Sequence, residues 1–212
     1  MKVRQIKLIK MDVFAYMAGD EATRTCALID PAFEIVRILN ETIELGYKVT
    51  HVINTHGHSD HIAGNKQVIA ATGAKLFIHE SGAELLGKTW VKIYTRILGG
   101  KGSPRPDVLL KDGDVIRIGQ STLKVIHTPG HTKGCICLYT EGHVFTGDAL
   151  FVGNIGRTDF GRPAMLRLAE SIKSKLYVLP DDTIVWPGHD YGDTPSSTIA
   201  QERETNPGTI KI

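Results

Sequence analysis

Thr55-His56-Gly57-His58-Ser59-Asp60-His61 is the stretch whose reading decides the fold. Residues 49–54 before it are rich in β-branched side chains, and residues 62–71 after it have the composition of a helix. The cluster therefore sits where a strand ends and a helix begins, a common address for catalytic loops in α/β proteins. No single regular element aims all these side chains at one point. A tight turn splits them into two pairs, His56 with His58 and Asp60 with His61, which suits two adjacent cations. So dense a polar run is costly to bury without partners and unnecessary on a surface, whereas imidazole is the commonest transition-metal ligand.

Working outward, 212 residues suit one domain over 1–212 with a substantial core. Charge excludes little except a general affinity for nucleic acid: 25 basic and 23 acidic side chains leave a net +2. No apolar run approaches the roughly 20 residues of a membrane helix, and the N-terminal segment lacks the apolar centre of a signal peptide. Cys26, Cys135 and Cys137 are an odd set, and Cys135-Ile136-Cys137 is too close for an ordinary disulfide. Reduced core thiols in a cytoplasmic protein are expected; a Cys-x-Cys metal site lacks further partners.

Strands are expected at 3–9, 13–18 and 24–29, and a helix from Glu34 to Leu45 that Gly46 ends. After the strand and helix around the His cluster come a strand at 75–78 and a mainly helical 80–98. The loop 99–106 is rich in glycine and proline. A second half restarts with strands at 108–110, 115–118, 123–127, 136–139 and 144–146. A helix at 165–177, a strand at 184–186 and a helix at 198–204 capped by Ser196 or Ser197 complete it. Two sheets packed on each other with helices outside are the expected layers.

Three later segments repeat the chemistry of a strand end. Residues 123–127 run into Thr128-Pro129-Gly130-His131, 144–146 into Gly147-Asp148, and 184–186 into Pro187-Gly188-His189-Asp190. Singly, each histidine is most simply a hydrogen-bonded loop residue. Together with the first cluster they point to one shared edge.

This His-x-His-x-Asp-His, His, Asp, His order resembles the metallo-β-lactamase fold superfamily, and the resemblance covers nearly the whole chain. It implies a four-layer αββα sandwich. Position by position it implies that His56, His58 and His131 hold a first metal, that Asp60, His61 and His189 hold a second, and that Asp148 bridges both. The segment Gly147-Asp148-Ala149-Leu150-Phe151 through Gly156-Arg157-Thr158-Asp159-Phe160 is similar to the glyoxalase II-like branch, which includes hydroxyacylglutathione hydrolases and persulfide dioxygenases. His189-Asp190-Tyr191 leans toward the dioxygenases and Pro187-Gly188-His189 toward the hydrolases. Only 23 residues follow His189, so the long C-terminal helical region with which glyoxalase II helps hold glutathione is missing.

The chemistry implied is that of a hydrolase with two divalent ions, zinc foremost, with iron or manganese as alternatives. Two such ions against two carboxylates leave about two positive charges, enough to bring the pKa of bridging water toward ~7. The resulting hydroxide attacks a thioester of the S-acylglutathione type, with Asp60 and Asp148 as the catalytic carboxylates. The alternative is a single iron on His56, His131 and Asp148, a facial triad oxidising a glutathione persulfide. A nuclease of the same fold is disfavoured by the near-neutral charge. Arg157 and Tyr191 fall where glutathione-binding relatives contact the tripeptide, and Asp30 is expected either to orient a metal-bound histidine or to cap the next helix. Lys88, Lys92, Arg96, Lys101 and Arg105 either steer anions or form a solvated helix face. His51, His79, His127 and His143 are given no metal role. The expected partner is a small molecule, not nucleic acid or a membrane, and the chain is expected to be a monomer or homodimer.

Overall fold

The computed structural model describes residues 1–158 and 161–210; Asp159 and Phe160, the end of the motif quoted above, lie outside the described residues. Strands β1 (Lys2–Lys7), β2 (Phe14–Asp20) and β3 (Thr25–Ile29) lead to helix α1 (Ile35–Glu44). There follow β4 (Lys48–Asn54), the single turn α2 (Ser59–Ile62), α3 (Asn65–Thr72), β5 (Lys75–His79), α4 (Glu80–Gly87), α5 (Thr89–Ile97) and β6 (Val108–Leu110). Then come β7 (Val115–Ile118), β8 (Ser121–His127), β9 (Ile136–Thr140), β10 (His143–Gly147) and the small hairpin β11 (Leu150–Phe151) with β12 (Asn154–Ile155). Helix α6 (Arg162–Ser171), β13 (Ile184–Pro187), β14 (Ser197–Thr198), α7 (Ile199–Thr205) and α8 (Pro207–Ile210) follow.

Two six-stranded sheets result, β1-β2-β3-β4-β5-β6 and β14-β13-β10-β9-β8-β7. Strand alternation explains how they layer. All of β2 is buried, because both of its faces are covered. Phe14, Tyr16 and Ala18 point between the sheets and meet Ile118, Leu123, Leu138 and Phe145. Ala15 and Met17 point outward and meet the helices, in a cluster with Ile38, Val68 and Leu86. On the far side, Cys137, Val144 and Val185 pack under Leu168, Ile172 and Ile199. The architecture is a four-layer αββα sandwich. The three cysteines are buried free thiols.

The direction of the strands places the loops. β3, β4, β5 and β6 run parallel, so β3 and β4 both end on one edge of the first sheet. In the second sheet β8 and β10 both lie antiparallel to β9, and β13 runs parallel to β10; all three therefore finish on one edge. The two edges are stitched together: Ile136 N donates to Thr55 O at 2.9 Å and Phe14 N to Gly188 O at 2.8 Å. Every segment carrying a candidate ligand leaves the sheets at that seam.

Several element expectations need correction. β6 does not open a second half; it pairs with β5 and closes the first sheet, since Asp107 anchors it there by accepting from Leu76 N at 2.7 Å. The expected helix 62–71 is broken, because Ala63 O accepts from Lys101 N and Gly102 N at 2.9 and 3.0 Å instead of continuing a helix. The helix expected from Met165 begins at Arg162 and passes into a π-helical turn over Ile172–Leu176. The cap of α7 is Thr198, whose hydroxyl accepts from Gln201 N at 3.2 Å, and neither Ser196 nor Ser197. The two-residue strands β11, β12 and β14 and the four-residue α8 are too short to leave a period in the sequence.

Candidate metal centre

His58 is extended and precedes the first turn of α2, so Asp60 and His61 emerge from a helical turn while His56 and His58 lie in the loop between β4 and that turn. That change of conformation within four residues splits the cluster into two pairs. The second sheet supplies His131, Asp148 and His189. Gly188 keeps the approach close: a Cβ there would collide with Asp148 Oδ1. Tyr16, buried between the sheets, steadies the same loop by donating to Pro187 O at 2.5 Å.

The seven side chains converge. His58 Nδ1 lies 3.1 Å from His56 Nε2 and 2.9 Å from His131 Nε2. His61 Nε2 lies 3.2 Å from His189 Nε2, and Asp60 Oδ2 lies 3.6 Å from the latter. Asp148 stands between the two groups, with Oδ2 3.4 Å from both His131 Nε2 and His189 Nε2, and Oδ1 3.3 Å from His61 Nε2. Among the described residues, His56/His58/His131, Asp60/His61/His189 and Asp30/His56/His61 are groups able to hold a metal ion.

The outer hydrogen bonds decide which way the ring nitrogens present their lone pairs. His61 Nδ1 donates to Asp30 Oδ2 at 3.0 Å, His131 Nδ1 to Arg157 O at 2.6 Å, and His189 Nδ1 to Met11 O at 2.9 Å. Thr55 Oγ1 donates to Asp30 Oδ2 at 2.6 Å, which leaves it to accept from His56 Nδ1 at 3.1 Å. Each neutral ring therefore turns a bare Nε2 inward. Bare nitrogens of His61 and His189 facing each other at 3.2 Å repel unless a cation or proton lies between them. Asp148 Oδ1, buried without a hydrogen-bond partner, makes the same demand. Ligands held tetrahedrally at about 2.0–2.1 Å stand roughly 3.3–3.4 Å apart, close to these separations. The residues fit divalent ions.

Electrostatics agree. Burial pushes His56 and His58 down, the latter to about 4, with neighbouring imidazoles adding to the effect, so both rings are neutral. Burial also works against charge on His61, but Asp148, Asp30 and Asp60 outweigh it and raise that ring to about 10. Burial opposes ionisation of Asp148 too, yet His61, His189 and His56 hold its carboxyl well below the usual range. Three carboxylates around one ring call for positive charge at this spot.

Asp30 does not cap α1, whose first turn has no side-chain cap at all. It sits in the left-handed region at φ 49° and accepts from Thr55 N at 2.9 Å as well as from His61 and Thr55 Oγ1. Tyr191 is 58% exposed and its ring stacks on His189 at 4.6 Å, and Phe151 meets both rings edge-on. Arg157 lines the mouth with Tyr191, and its main chain supports His131. His79 caps α4 by accepting from Ser81 N at 3.2 Å and stacks on His127 at 4.0 Å, His143 accepts from Trp186 Nε1 at 3.2 Å, and His51 bonds to Thr50 at 2.8 Å.

The mouth is a cavity of about 840 Å³ over the cluster. Its side wall is α5, which presents Trp90, Ile93, Tyr94 and Ile97, whereas Lys88, Lys92 and Arg96 do not line it. Residues 80–98 thus bring apolar surface to the site, and the basic side chains form a solvated face. Sequence reasoning also missed Met11, whose role is a main-chain carbonyl. Met11 and Asp12, at φ 59° and 51°, make the tight turn between β1 and β2 that aims it at His189.

The family model that matches this sequence is the metallo-beta-lactamase superfamily, over residues 11–189. The chain belongs to that superfamily. It is 34% identical over 197 residues to the mitochondrial persulfide dioxygenase ETHE1 of Homo sapiens, covering 92% of this chain and 70% of the relative. It is 33% identical over 193 residues to a hydroxyacylglutathione hydrolase of Gloeobacter violaceus, covering 90% and 68%. The crystal structure of ETHE1 from Myxococcus xanthus superposes with a TM-score of 0.82 at 36% identity, covering 98% of this chain and 84% of that one. These relatives place this superfamily member in the glyoxalase II-like branch. Among the described residues no helix is long and apolar enough to cross a membrane.

Proposed function

We propose that this superfamily member is a two-metal thioester hydrolase, with His56, His58 and His131 on one ion, Asp60, His61 and His189 on the other, and Asp148 shared. The observation that carries this reading is that both three-residue groups are complete and Asp148 stands between them with a buried, unpartnered oxygen. Divalent ions, when bound there, acidify water and polarise the substrate carbonyl. The chain does the rest. Asp60, on the cavity side of His61, accepts the proton that water gives up as its oxygen bonds to the acyl carbon. The carbon–sulfur bond breaks, and the thiolate leaves and is protonated from solvent. Phe151 and Tyr191 shield the His189 side from bulk water. Metal analysis followed by turnover of S-lactoylglutathione tests the reading: two equivalents and hydrolysis support it, while one iron and no hydrolysis sink it.

A second reading has its own support. His56, His131 and Asp148 supply two histidines and a carboxylate, and the similarity to persulfide dioxygenases matches that to the hydrolases. Oxygen uptake with glutathione persulfide distinguishes it.

Three further results are expected on the hydrolase reading. Because His61 titrates at about 10 without metal, it carries a proton at neutral pH that must leave when Nε2 takes a cation. Metal uptake at pH 7 should release about one proton from this ring, and affinity should rise with pH up to that value; calorimetry in buffers of different ionisation enthalpy measures it. Asp30→Asn puts an amide donor opposite His61 or Thr55, which both donate to Asp30. Metal affinity should fall roughly 10- to 100-fold, read by competition with a chelating dye. If Arg157 grips a substrate carboxylate, Arg157→Ala should raise KM about tenfold to a hundredfold with metal content unchanged. A small neutral thioester should be indifferent to it; equal losses on both substrates would make Arg157 structural.

A further inference from the structure

We propose that the α5 wall of the cavity seats a hydrophobic acyl group, so that the preferred substrates are thioesters of medium-length aliphatic or aromatic acids rather than of a small hydroxy acid. This rests on the hydrolase reading and adds to it the chemistry of the acyl half.

Helix α5 has three faces. Val91 and Thr95 are buried against the body of the protein, and Lys88, Lys92 and Arg96 are in solvent. The third face carries Trp90, Ile93, Tyr94 and Ile97 at i, i+3, i+4 and i+7, within roughly 100° of arc at 3.6 residues per turn. Their exposures are 56%, 53%, 44% and 73%, although they are among the largest apolar side chains of the molecule. Single exposed apolar residues are ordinary, but a contiguous stripe of four marks a binding surface.

What it binds follows from where it faces. All four side chains line the cavity whose floor includes Asp60, His131, Asp148 and His189. A stripe meant for a second protein would face outward, away from the floor. Ser59 Oγ donates to Val91 O at 3.2 Å, which ties α5 beside Asp60 of the second group, whereas Arg157, which also lines the cavity, is tied to His131 of the first. A substrate whose carbonyl lies over the cluster therefore meets a cationic side at one end and an apolar side at the other. The polar thiol half suits the first and the acyl chain the second. A lactoyl group has one methyl to set against four large side chains, and so leaves most of that wall uncovered.

Binding of S-alkylglutathiones, which have no carbonyl to hydrolyse, tests the wall apart from turnover. At a constant glutathione half, Kd measured by calorimetry on the metal-loaded protein should fall about two- to fourfold per methylene from methyl to hexyl. The double variant Ile93→Ser/Ile97→Ser, at exposed helix positions, should flatten that gradient with unchanged circular dichroism and metal content. kcat/KM for S-hexanoylglutathione should likewise exceed that for S-lactoylglutathione by tenfold or more. A wild-type gradient that is absent, or that the double variant leaves intact, overturns the proposal. Equal hydrolysis of the two acyl substrates overturns it while leaving the hydrolase reading standing. A binding gradient with no thioester turned over overturns the hydrolase reading and the acyl assignment together.

Discussion

Asp148→Ala is expected to lower thioester hydrolysis by at least about 10³-fold, roughly 4 kcal/mol of barrier, and to reduce the metal content below two equivalents. Asp148 is buried at 7% exposure, with imidazole nitrogens on both sides and one oxygen that finds no hydrogen bond. Two divalent ions roughly 3.5–4 Å apart repel strongly, and an anion between them is what makes double occupancy favourable. Alanine removes that anion and leaves only imidazole nitrogens between the two groups. Nothing nearby replaces it, since Asp30 already accepts from Thr55 and His61, and Asp60 belongs to the second three-residue group. Asp148→Asn separates charge from shape: it keeps the volume beside Gly188 and should lose nearly as much activity. Plasma emission spectrometry and a thiol-release assay read both quantities. Two equivalents retained with more than a tenth of the activity would show that Asp148 is not shared.

The sequence makes the site more legible than the fold. Every polar side chain that converges here leaves a strand end beside glycine or in a turn, and metal chemistry confines the residue types to a short alphabet. Layer order is legible for a related reason: β8 alternates over Thr122–Val125 whereas most of β2 is apolar on both faces, so a strand covered on both faces or on one reads differently. What stays hidden depends on tertiary partners. The membership of β6 in the first sheet is decided by Asp107 accepting from Leu76, a bond between residues far apart in sequence. Met11 and Arg157 support His189 and His131 through main-chain carbonyls, which leave no mark on residue type. The stripe on α5 has a clear helical period, but basic residues interleave with it. Only the position of α2 tells which face of α5 meets the site.

Asp60→Ala separates the two enzyme classes. Asp60 Oδ2 lies 3.9 Å from His61 Nε2 and 3.6 Å from His189 Nε2, within the second three-residue group and outside the triad His56, His131 and Asp148. In a two-metal hydrolase its loss removes both an anionic ligand of the second ion and the group placed to accept water's proton. General-base assistance alone is worth about 10²–10⁴-fold, so thioester hydrolysis should fall by at least 10². Metal content should drop toward one equivalent, because the neutral His61 and His189 that remain offset none of the second ion's charge. In a mono-iron dioxygenase the same change leaves every ligand of the iron in place, and oxygen uptake with glutathione persulfide should stay within about tenfold of the unaltered protein. The side chain is partly open to the cavity, with 14% of its surface exposed, so alanine leaves a space that water can fill rather than an empty core. Both assays run on one preparation, with bound metal counted before each. Collapse of hydrolysis with loss of one metal equivalent is the result expected; persistent oxygen uptake on a single iron, with no thioester hydrolysed by either protein, would transfer this chain to the dioxygenases.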